Sequence, residues 1–371
     1  MSARQIYLDH NGTTPIAPEV AEAMWPYLTE RFGNPSSTTA EGRLARQAVE
    51  TAREQVAALI GAHADEITFT SGGTESNNLA LRGVARVAGE RTLVTSVVEH
   101  PATVQPVAGL AGQGWTVHRL GVDAAGRIDP ADMPSGPVGL GTLILAQNEV
   151  GTIQPVAALA DRVHGAGGVM HADAAQAVGK IPVSVEDLAV DLLSIAGHKL
   201  YAPKGVGALF VRRGTAIAPV LTGAGQERGL RPGTENVASI VGLGVAADLA
   251  RDVLEASAAR QQLLRETLWT RLAAGITGLV RISPALDCLP NTLMVAVPGR
   301  IGSDLLDAVS GVGASTGSAC HSGVHTPATT LLEMGIDPHL AVGALRLSLG
   351  RDTTEAEITA AATALVAAAT S

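Results

Sequence analysis

Five polar segments directly follow short apolar runs that predict buried strands, and they hold the residues best suited to chemistry. They are 71–76 after the run 66–70, 99–100 after 92–97, 147–149 after 142–146, 173–176 after 168–171, and 197–199 after 191–195. In open α/β sheets, ligands bind beyond the carboxyl ends of the strands. We therefore expect the five segments to meet at one edge of a sheet and to form a site there.

Asp173 and Lys199 are the most informative of these residues, because burying either charge without a partner is costly. Asp173 could neutralise a protonated ring nitrogen, and Lys199 could form a Schiff base. The glycine-rich turn 71–76 opens a predicted helix, whose free N–H groups and the Thr74 hydroxyl suit a phosphate. A pyridoxal phosphate site needs all three features. Two plainer interpretations stay open: an ordinary ion pair between Asp173 and Lys199, and a helix start capped by Thr74.

Cys320 lies in a stretch of small, polar and glycine residues, 314–323, that predicts a mobile surface loop. An exposed thiol beside His321 and His325 could have a lowered pKa and act as a nucleophile. A metal site built from these three residues lacks an obvious fourth ligand, so we predict no metal. An incidental free thiol is the other alternative. Cys288 has no polar helper nearby in sequence and is predicted to be structural.

Arg346 interrupts an apolar strand pattern at 345–349. An inward guanidinium would need a carboxylate partner, either a substrate amino acid or a structural Glu, whereas an outward Arg would be solvated. The segment 242–247 matches a loose dinucleotide-binding fingerprint. Because it lies within a helical pattern rather than at a turn from strand to helix, it gives little support to a nicotinamide oxidoreductase.

Helical patterns separate most of the predicted strands. They cover 18–32, 40–60, 74–88 and 156–165, and this alternation predicts an α/β fold with a mostly parallel sheet. The runs 191–195 and 206–211 look like a hairpin and could be antiparallel. After 255 the pattern changes to a helix over 257–274, strands at 293–297 and 345–349, and a helix over 353–369. We predict a large domain over 15–255 and a smaller α+β domain, made of 1–14 and 256–371, that carries Cys320.

The composition is that of an ordinary globular enzyme, with 371 residues of which 46% are hydrophobic and 16% charged. The net charge of −9 argues against direct nucleic-acid binding, and no apolar run has the length of a membrane span. Two cysteines are too few for a disulfide scaffold, and the first residues contain no secretory apolar segment. We therefore expect a cytoplasmic protein that binds neither nucleic acid nor membrane.

The motifs, taken in order, resemble those of the cysteine desulfurases over nearly the whole chain. These are pyridoxal phosphate enzymes of the class V aminotransferase superfamily with the type I fold. The resemblance is carried by 7–14, 32–37, 71–77, 148–151, 171–176, 197–199, 231–234, 318–320 and 345–351. It implies a cofactor site made of Gly73, Thr74, His100, Asn148, Asp173, Gln176, His198 and Lys199, with Thr234 reaching the site of the neighbouring subunit of a homodimer.

The resemblance also implies the roles of individual residues. Lys199 would carry the cofactor and shuttle protons, and His100 would stack on the ring and assist proton transfer. Asp173 would pair with the ring nitrogen, and Gln176 would hydrogen-bond the ring hydroxyl. The substrate carboxylate would be held by Asn34 and Arg346, and the nucleophile that takes the sulfur would be Cys320.

The implied reaction converts L-cysteine to L-alanine and leaves a persulfide on Cys320 for a sulfur acceptor, such as an iron–sulfur scaffold protein. Selenocysteine lyases are the close alternative, because 319–322, 231–236 and 344–348 also resemble their motifs. The sequence has Ala196 where many relatives have Ser, which removes one phosphate hydroxyl, and His321 where group I desulfurases have Thr or Ser. A plain aminotransferase and a non-catalytic scaffold are the remaining alternatives.

Overall fold

The computed structural model describes residues 6–316, 318–321 and 324–371, with the backbone alone for 318–321, 324 and 325. In chain order its strands are β1 (Ile6–Tyr7), β2 (Ile67–Thr70), β3 (Thr92–Ser96), β4 (Thr116–Leu120), β5 (Leu140–Ile144), β6 (Val169–Asp173), β7 (Leu192–Ala196), β8 (Gly207–Val211), β9 (Val280–Arg281), β10 (Thr292–Ala296), β11 (Val312–Gly313), β12 (Ser315–Thr316), β13 (Ser318–His321), β14 (Val324–Pro327) and β15 (Ala344–Ser348).

The helices surround these strands. They are α1 (Pro18–Thr29), α2 (Ala40–Ile60), α3 (Gly73–Ala85), α4 (Pro101–Ala111), α5 (Val156–Gly165), α6 (Val237–Gly275), α7 (Gly302–Ala308), α8 (Thr329–Glu333), α9 (Pro338–Ala341) and α10 (Glu355–Thr370). The predicted bounds of α2 and α5 are confirmed. In α2 the Thr39 hydroxyl accepts a hydrogen bond from Gly42 N, and Gly61 ends the helix with a φ of 68°, a left-handed conformation that favours glycine.

The large sheet has the strand order β2-β8-β7-β6-β5-β3-β4. The strands from β7 to β4 are parallel, and β8 is antiparallel to both β7 and β2, so the predicted antiparallel hairpin is confirmed. From β3 the chain passes to β4 on one side and then to β5 on the other. The strand order therefore reverses between β3 and β5, and α/β sheets bind ligands at such a switch point. The predicted α/β fold with a mostly parallel sheet is confirmed.

A second sheet, in the order β12-β15-β10-β9, lies in the C-terminal part of the chain. Its apolar core combines β10 and β15 with α10 and the second half of α6, and it includes Leu8 beside β1. This core agrees with a smaller α+β unit that takes in the first residues. The boundary at 255 stays a prediction, because the continuous helix α6 crosses it; the helix predicted over 257–274 is the second half of α6.

Three local features differ from the sequence analysis. α4 and β4 were not predicted; α4 contains Pro106 and Gly109, which weaken a helical pattern. The expectation of a loop over 314–323 is wrong for the described backbone, which forms β12 and β13, and β13 pairs antiparallel with β14. Small polar residues predict loops, yet pairing with a neighbouring strand overrides that preference. Among the described helices, none is long and apolar enough to cross a membrane.

Candidate active site

A cavity of about 400 Å³ opens at the carboxyl ends of β3, β5, β6 and β7. All five polar segments contribute to its wall, so the expectation that they meet at one sheet edge is confirmed. Its lining residues are Asn11, Gly12, Gly73, Thr74, Asn77, His100, Ala102, Ile144, Asn148, Asp173, Ala175, Gln176, Ala196, His198, Lys199 and Arg346.

Lys199 ends the 3₁₀ turn that follows β7. Its Nζ donates hydrogen bonds to the carbonyl oxygens of Asn11, at 2.6 Å, and Gly12, at 2.7 Å. The pKa of Lys199 is lowered to about 8 by burial and by the nearby Arg346 guanidinium, and Asp9 and Asp173 partly oppose this shift. An appreciable fraction of the amine is therefore neutral near neutral pH, as a nucleophile or a general base requires.

Asp173 is the last residue of β6 and is 4% exposed. Its two carboxylate oxygens are fixed by separate donors: Oδ2 accepts from Asn77 Nδ2 at 2.7 Å, and Oδ1 accepts from Ala175 N at 3.0 Å. Among the ion pairs of the described ranges, none joins Asp173 to Lys199, whose ammonium binds carbonyls instead. The carboxylate is thus held in the cavity wall, and no ion pair within the described ranges neutralises it.

His100 follows β3 and caps α4, where its Nδ1 accepts a hydrogen bond from Ala102 N at 3.1 Å. Burial lowers the pKa of His100, the Asp173 carboxylate raises it and the Lys199 ammonium lowers it. The ring is therefore neutral at neutral pH, and because Nδ1 is an acceptor its proton lies on Nε2. His100 can present an N–H to the cavity and a ring face to a planar ligand.

One end of the cavity is suited to an anion. α3 begins at Gly73, and its N-cap is Gly72 with a φ of 147°, so the interpretation of Thr74 as the cap is wrong. The first N–H groups of α3, together with Thr74 and His198, lie around the same end of the cavity as Ala196. Helix N-termini bind phosphate through free N–H groups and the helix dipole.

His198 contributes to this end of the cavity as a neutral side chain. Its pKa is lowered to about 4 by burial and by the charges of Lys199 and Lys204. Its Nδ1 lies 3.0 Å from Thr13 Oγ1. Ala196 is 4% exposed and supplies a methyl group where a hydroxyl would have donated to a phosphate. The donors left for a phosphate are therefore the α3 backbone, Thr74 and His198.

Arg346 points inward from β15 to the cavity, so the interpretation as an outward, solvated residue is wrong. One terminal nitrogen donates to Asp9 Oδ1 at 2.6 Å and the other to the Asn148 carbonyl at 3.1 Å. Its Nε is buried and has no hydrogen-bond partner among the described residues. The guanidinium lines the cavity, where its charge could attract a ligand carboxylate.

Two of the sequence-predicted residues, Asn34 and Thr234, are absent from the described lining of this cavity. Asn34 is exposed, and its side chain accepts a hydrogen bond from Ser36 N. Thr234 is also exposed and lines a separate cavity of about 120 Å³ with Ser71 and Arg231. For Cys320 the structure gives the backbone position only: it lies in β13, opposite His325 of β14. The proposed roles of these three residues stay predictions.

Sequence analysis did not single out Asn11, Asn77, Glu99 or Lys180 as site residues. Asn77 lies one helical turn after Gly73, a spacing that could have placed it on the same helix face. Glu99 is buried, and burial raises its pKa to about 8 although Ser96 and Ile144 N donate to it. Asn11 and Lys180 reach the site through contacts over more than 160 positions of sequence, and no local pattern predicts such contacts.

Comparison with known proteins agrees with this geometry. The family model "Aminotransferase class-V" matches residues 6–360. A cysteine desulfurase of Trichormus azollae is 44% identical over 359 residues, covering 95% of this chain and 90% of that protein. The cysteine desulfurase NifS of Azotobacter vinelandii is 43% identical, with the same coverage. A solved structure titled as a NifS-like protein superposes with a TM-score of 0.92 at 36% identity, covering 98% of both chains.

The chain therefore belongs to the class-V aminotransferase family, and within it to the cysteine desulfurases. This family depends on pyridoxal phosphate, as the chemistry of the cavity requires.

Proposed function

We propose that this protein is a pyridoxal phosphate-dependent cysteine desulfurase, which converts L-cysteine to L-alanine and takes up the sulfur on Cys320. The observation that carries the proposal is the meeting of Lys199, Asp173 and the start of α3 in one cavity. The family and the names of its relatives support the substrate. A non-catalytic scaffold would gain nothing from Lys199 and Asp173 in one cavity without an ion pair between them, because such charges cost stability. Groups of this kind are typical of functional sites.

The residues that line the cavity could bind the phosphate, the ring nitrogen and the aldehyde carbon of the cofactor. The N-terminus of α3, Thr74 and His198 would bind its phosphate, Asp173 would hold a proton on its ring nitrogen, and Lys199 would bind its aldehyde carbon. When bound, the cofactor supplies an electron sink that makes the α-proton of an amino acid acidic. Lys199, with a pKa of about 8, can accept that proton on Nζ.

Arg346 would select substrates that carry a carboxylate. Its guanidinium lines the cavity, and its terminal nitrogens donate to Asp9 and Asn148. A substrate carboxylate beside this guanidinium would be attracted to its charge and fixed relative to Lys199. Asn34, which the resemblance also assigns to the carboxylate, lies outside the cavity wall of its own chain.

The sulfur transfer needs a thiolate, which we assign to Cys320. The thiolate sulfur attacks the substrate sulfur and forms an S–S bond, while the bond between Cβ and sulfur breaks. The electron pair of that bond goes to the substrate carbon, which takes up a proton to become the methyl group of alanine. His325 lies opposite Cys320 in the β13–β14 hairpin and His321 follows it, and a neighbouring imidazolium favours the thiolate.

We also propose partners and a cellular location for this protein. Thr234 lies outside the cavity of its own chain, which supports the expectation of a homodimer whose sites share this residue. The relatives named NifS and IscS support an acceptor in iron–sulfur cluster assembly. A cytoplasmic location, where thiols stay reduced, would suit a persulfide on Cys320.

The test is alanine release by the purified, cofactor-loaded protein from L-cysteine and L-selenocysteine side by side. We expect turnover of cysteine and, by mass spectrometry of the digested protein, one added sulfur atom on the peptide that contains Cys320. Cys320→Ala should lose both. Cys288→Ala is the matched control and should keep both, because burial raises the pKa of Cys288 to about 11 and keeps its thiol protonated.

Three results would overturn parts of the proposal. Turnover confined to selenocysteine would make the protein a selenocysteine lyase. Full turnover of cysteine by Cys320→Ala would remove the persulfide step. No alanine from either substrate, with the cofactor still bound, would remove the substrate and leave the cofactor site.

A further inference from the structure

Lys180 is a buried lysine, and burial, together with the charges of Lys199 and Arg346, holds its pKa well below the usual value. The chain has 26 Lys and Arg residues, and only Lys180, Lys199 and Lys204 are lysines. Lys204 is exposed and Lys199 lines the main cavity, whereas Lys180 is 9% exposed and does not line it. Among the ion pairs of the described residues, none includes Lys180. Burying an ammonium in this way is costly, so its position needs an explanation other than stability.

The Lys180 ammonium is held by two neutral amides that both belong to the site. Its Nζ donates to Asn11 Oδ1 at 2.9 Å and to Gln176 Oε1. The backbone carbonyl of Asn11 in turn accepts from Lys199 Nζ at 2.6 Å and from Gln176 Nε2 at 2.9 Å. Asn11 thus links Lys180 to Lys199, the residue that would bind the cofactor.

The chemistry of these groups fixes which way the Gln176 amide faces. An ammonium only donates hydrogen bonds, so the atom of Gln176 next to Lys180 must be the oxygen. The amide nitrogen then lies on the side of Asn11, where one of its hydrogens goes to the Asn11 carbonyl. The second hydrogen remains for a ligand in the cavity that Gln176 lines.

The backbone holds Lys180 in this position. Gly179 has a φ of 78°, a left-handed conformation that favours glycine, and a side chain there would bring its first carbon to 3.2 Å from Leu200 Cβ. The turn that precedes Lys180 is therefore packed closely against the residue that follows Lys199. This packing keeps the ammonium within reach of both amides.

We propose that Lys180 is a positioning residue of the reaction, which acts through Gln176 by turning the Gln176 amide nitrogen toward the cofactor. This inference deepens the proposed function and rests on it. Gln176 is the residue that touches the cofactor; Lys180 touches neither cofactor nor substrate. The arrangement assigns a task to a buried charge that the reaction itself does not use.

The inference has a spectroscopic signature, because bound pyridoxal phosphate changes its visible absorbance with pH. A hydrogen-bond donor on the ring oxygen disfavours protonation of the cofactor–lysine linkage. Losing this donor should raise the pH midpoint of the absorbance change. Other charged or titratable groups around Lys180 and Lys199 include Asp9, His10, His100, Asp173, His198, Tyr201, Arg346 and Arg351. None of these residues is substituted in the variants below.

The experiment is a pH titration of visible absorbance on cofactor-loaded protein, for Lys180→Met, Gln176→Ala and the double variant. We expect each single substitution to raise the midpoint by about 0.5–1 pH unit. The double variant should shift by no more than the larger single shift, because Lys180 acts through Gln176. Arg271→Met, which removes an exposed positive charge outside the cavity, should keep the parent midpoint because water screens its charge.

A parent midpoint in Lys180→Met would overturn the inference, and so would additive shifts in the double variant. If Lys180→Met does not fold, Lys180→Gln replaces it, since it keeps a polar group and removes the charge. A parent protein that binds no pyridoxal phosphate would overturn the proposed function instead, and this outcome is distinguishable because it is seen before any variant is made.

Discussion

Two buried clusters of charge in this molecule are built in opposite ways. Away from the site, Arg53 and Glu227 form a two-pronged ion pair, with nitrogen to oxygen distances of 2.8 and 2.9 Å, and Phe69 N donates to the same carboxylate at 2.8 Å. The side chains are 5% and 2% exposed. Both carboxylate oxygens of Glu227 accept a hydrogen bond from Arg53, so the two charges neutralise each other within the chain.

The charged groups at the candidate active site lack such ion-pair partners within the described residues. Lys199 and Lys180 bind only carbonyl and amide oxygens, and the Oε2 atom of the buried Glu99 has no partner. The pKa values accordingly move toward the neutral forms: burial lowers that of Lys199 to about 8 and raises that of Glu99 to about 8. The Arg53–Glu227 cluster therefore stabilises the fold, whereas the groups at the site remain free for a ligand and for proton transfer.

The largest effect expected is at Lys199. Lys199→Ala should lose at least about 1,000-fold in alanine formation and should lose the covalently attached cofactor, because no other amine lines the cavity within the described residues. Steady-state alanine release and the visible absorbance after gel filtration measure the two losses. Lys204→Ala removes an exposed lysine as the control. Substantial turnover by Lys199→Ala would contradict the assignment of this lysine.

The next effect concerns the paired cluster and falls on stability. Glu227→Gln should lower the free energy of unfolding by about 3–5 kcal/mol, because it leaves Arg53 buried with only the half-exposed Glu50 nearby. Urea unfolding followed by circular dichroism measures this change. The exposed Arg213–Asp65 pair is the matched control, and Asp65→Asn should cost much less than Glu227→Gln, because water screens an exposed ion pair. Equal losses of unfolding free energy in Glu227→Gln and Asp65→Asn would contradict the view that the buried Arg53–Glu227 pair stabilises the fold.

Cofactor loading should depend on pH through the unpaired Lys199. Its pKa is lowered from 10.5 to about 8, so the ammonium predominates below pH 8 and the reactive amine above it. The rate at which the cofactor-free protein takes up pyridoxal phosphate should rise about tenfold per pH unit up to pH 8 and then level off. Stopped-flow absorbance measures it, with a lysine-containing peptide as the control for titration of the cofactor itself. A rate that keeps rising to pH 10 would mean that Lys199 is not perturbed.

The last prediction concerns Glu99 and the dependence of stability on pH. Because its pKa rises from 4.5 to about 8 on folding, the unfolded chain releases this proton at a lower pH than the folded chain does. Glu99 therefore lowers stability progressively as the pH rises from 4.5 to 8. Glu99→Gln should flatten this trend and raise the free energy of unfolding at pH 8, with little change at pH 4.5.

Thermal or urea unfolding of both proteins across this pH range checks the expectation at Glu99. The exposed Glu22→Gln is the control, because it removes one carboxylate that lies in solvent in the folded chain. Parallel pH curves for the parent and Glu99→Gln would show that Glu99 ionises normally in the fold.

Much of the site could be predicted from the sequence because strand ends are local features. Lys199, Asp173 and the turn before α3 each follow an apolar run, and the run and the polar residues after it are adjacent in sequence. The α/β alternation then places all such ends at one sheet edge. The bounds of α2 could be predicted equally well, since Thr39 and Gly61 mark its two ends.

The residues at the strand ends can be identified from the sequence alone, and the ordered motifs imply the cofactor and the class of reaction through their resemblance to a known family. Packing of the folded chain turns Arg346 inward, makes Gly72 rather than Thr74 the cap of α3, and lets Asn11 join Lys180 to Lys199. The two kinds of feature differ in the range of the interactions that set them. Hydrophobic periodicity and capping act over a few residues, whereas the contacts of Arg346 and Asn11 join segments more than 160 residues apart, and only packing of the whole chain selects them.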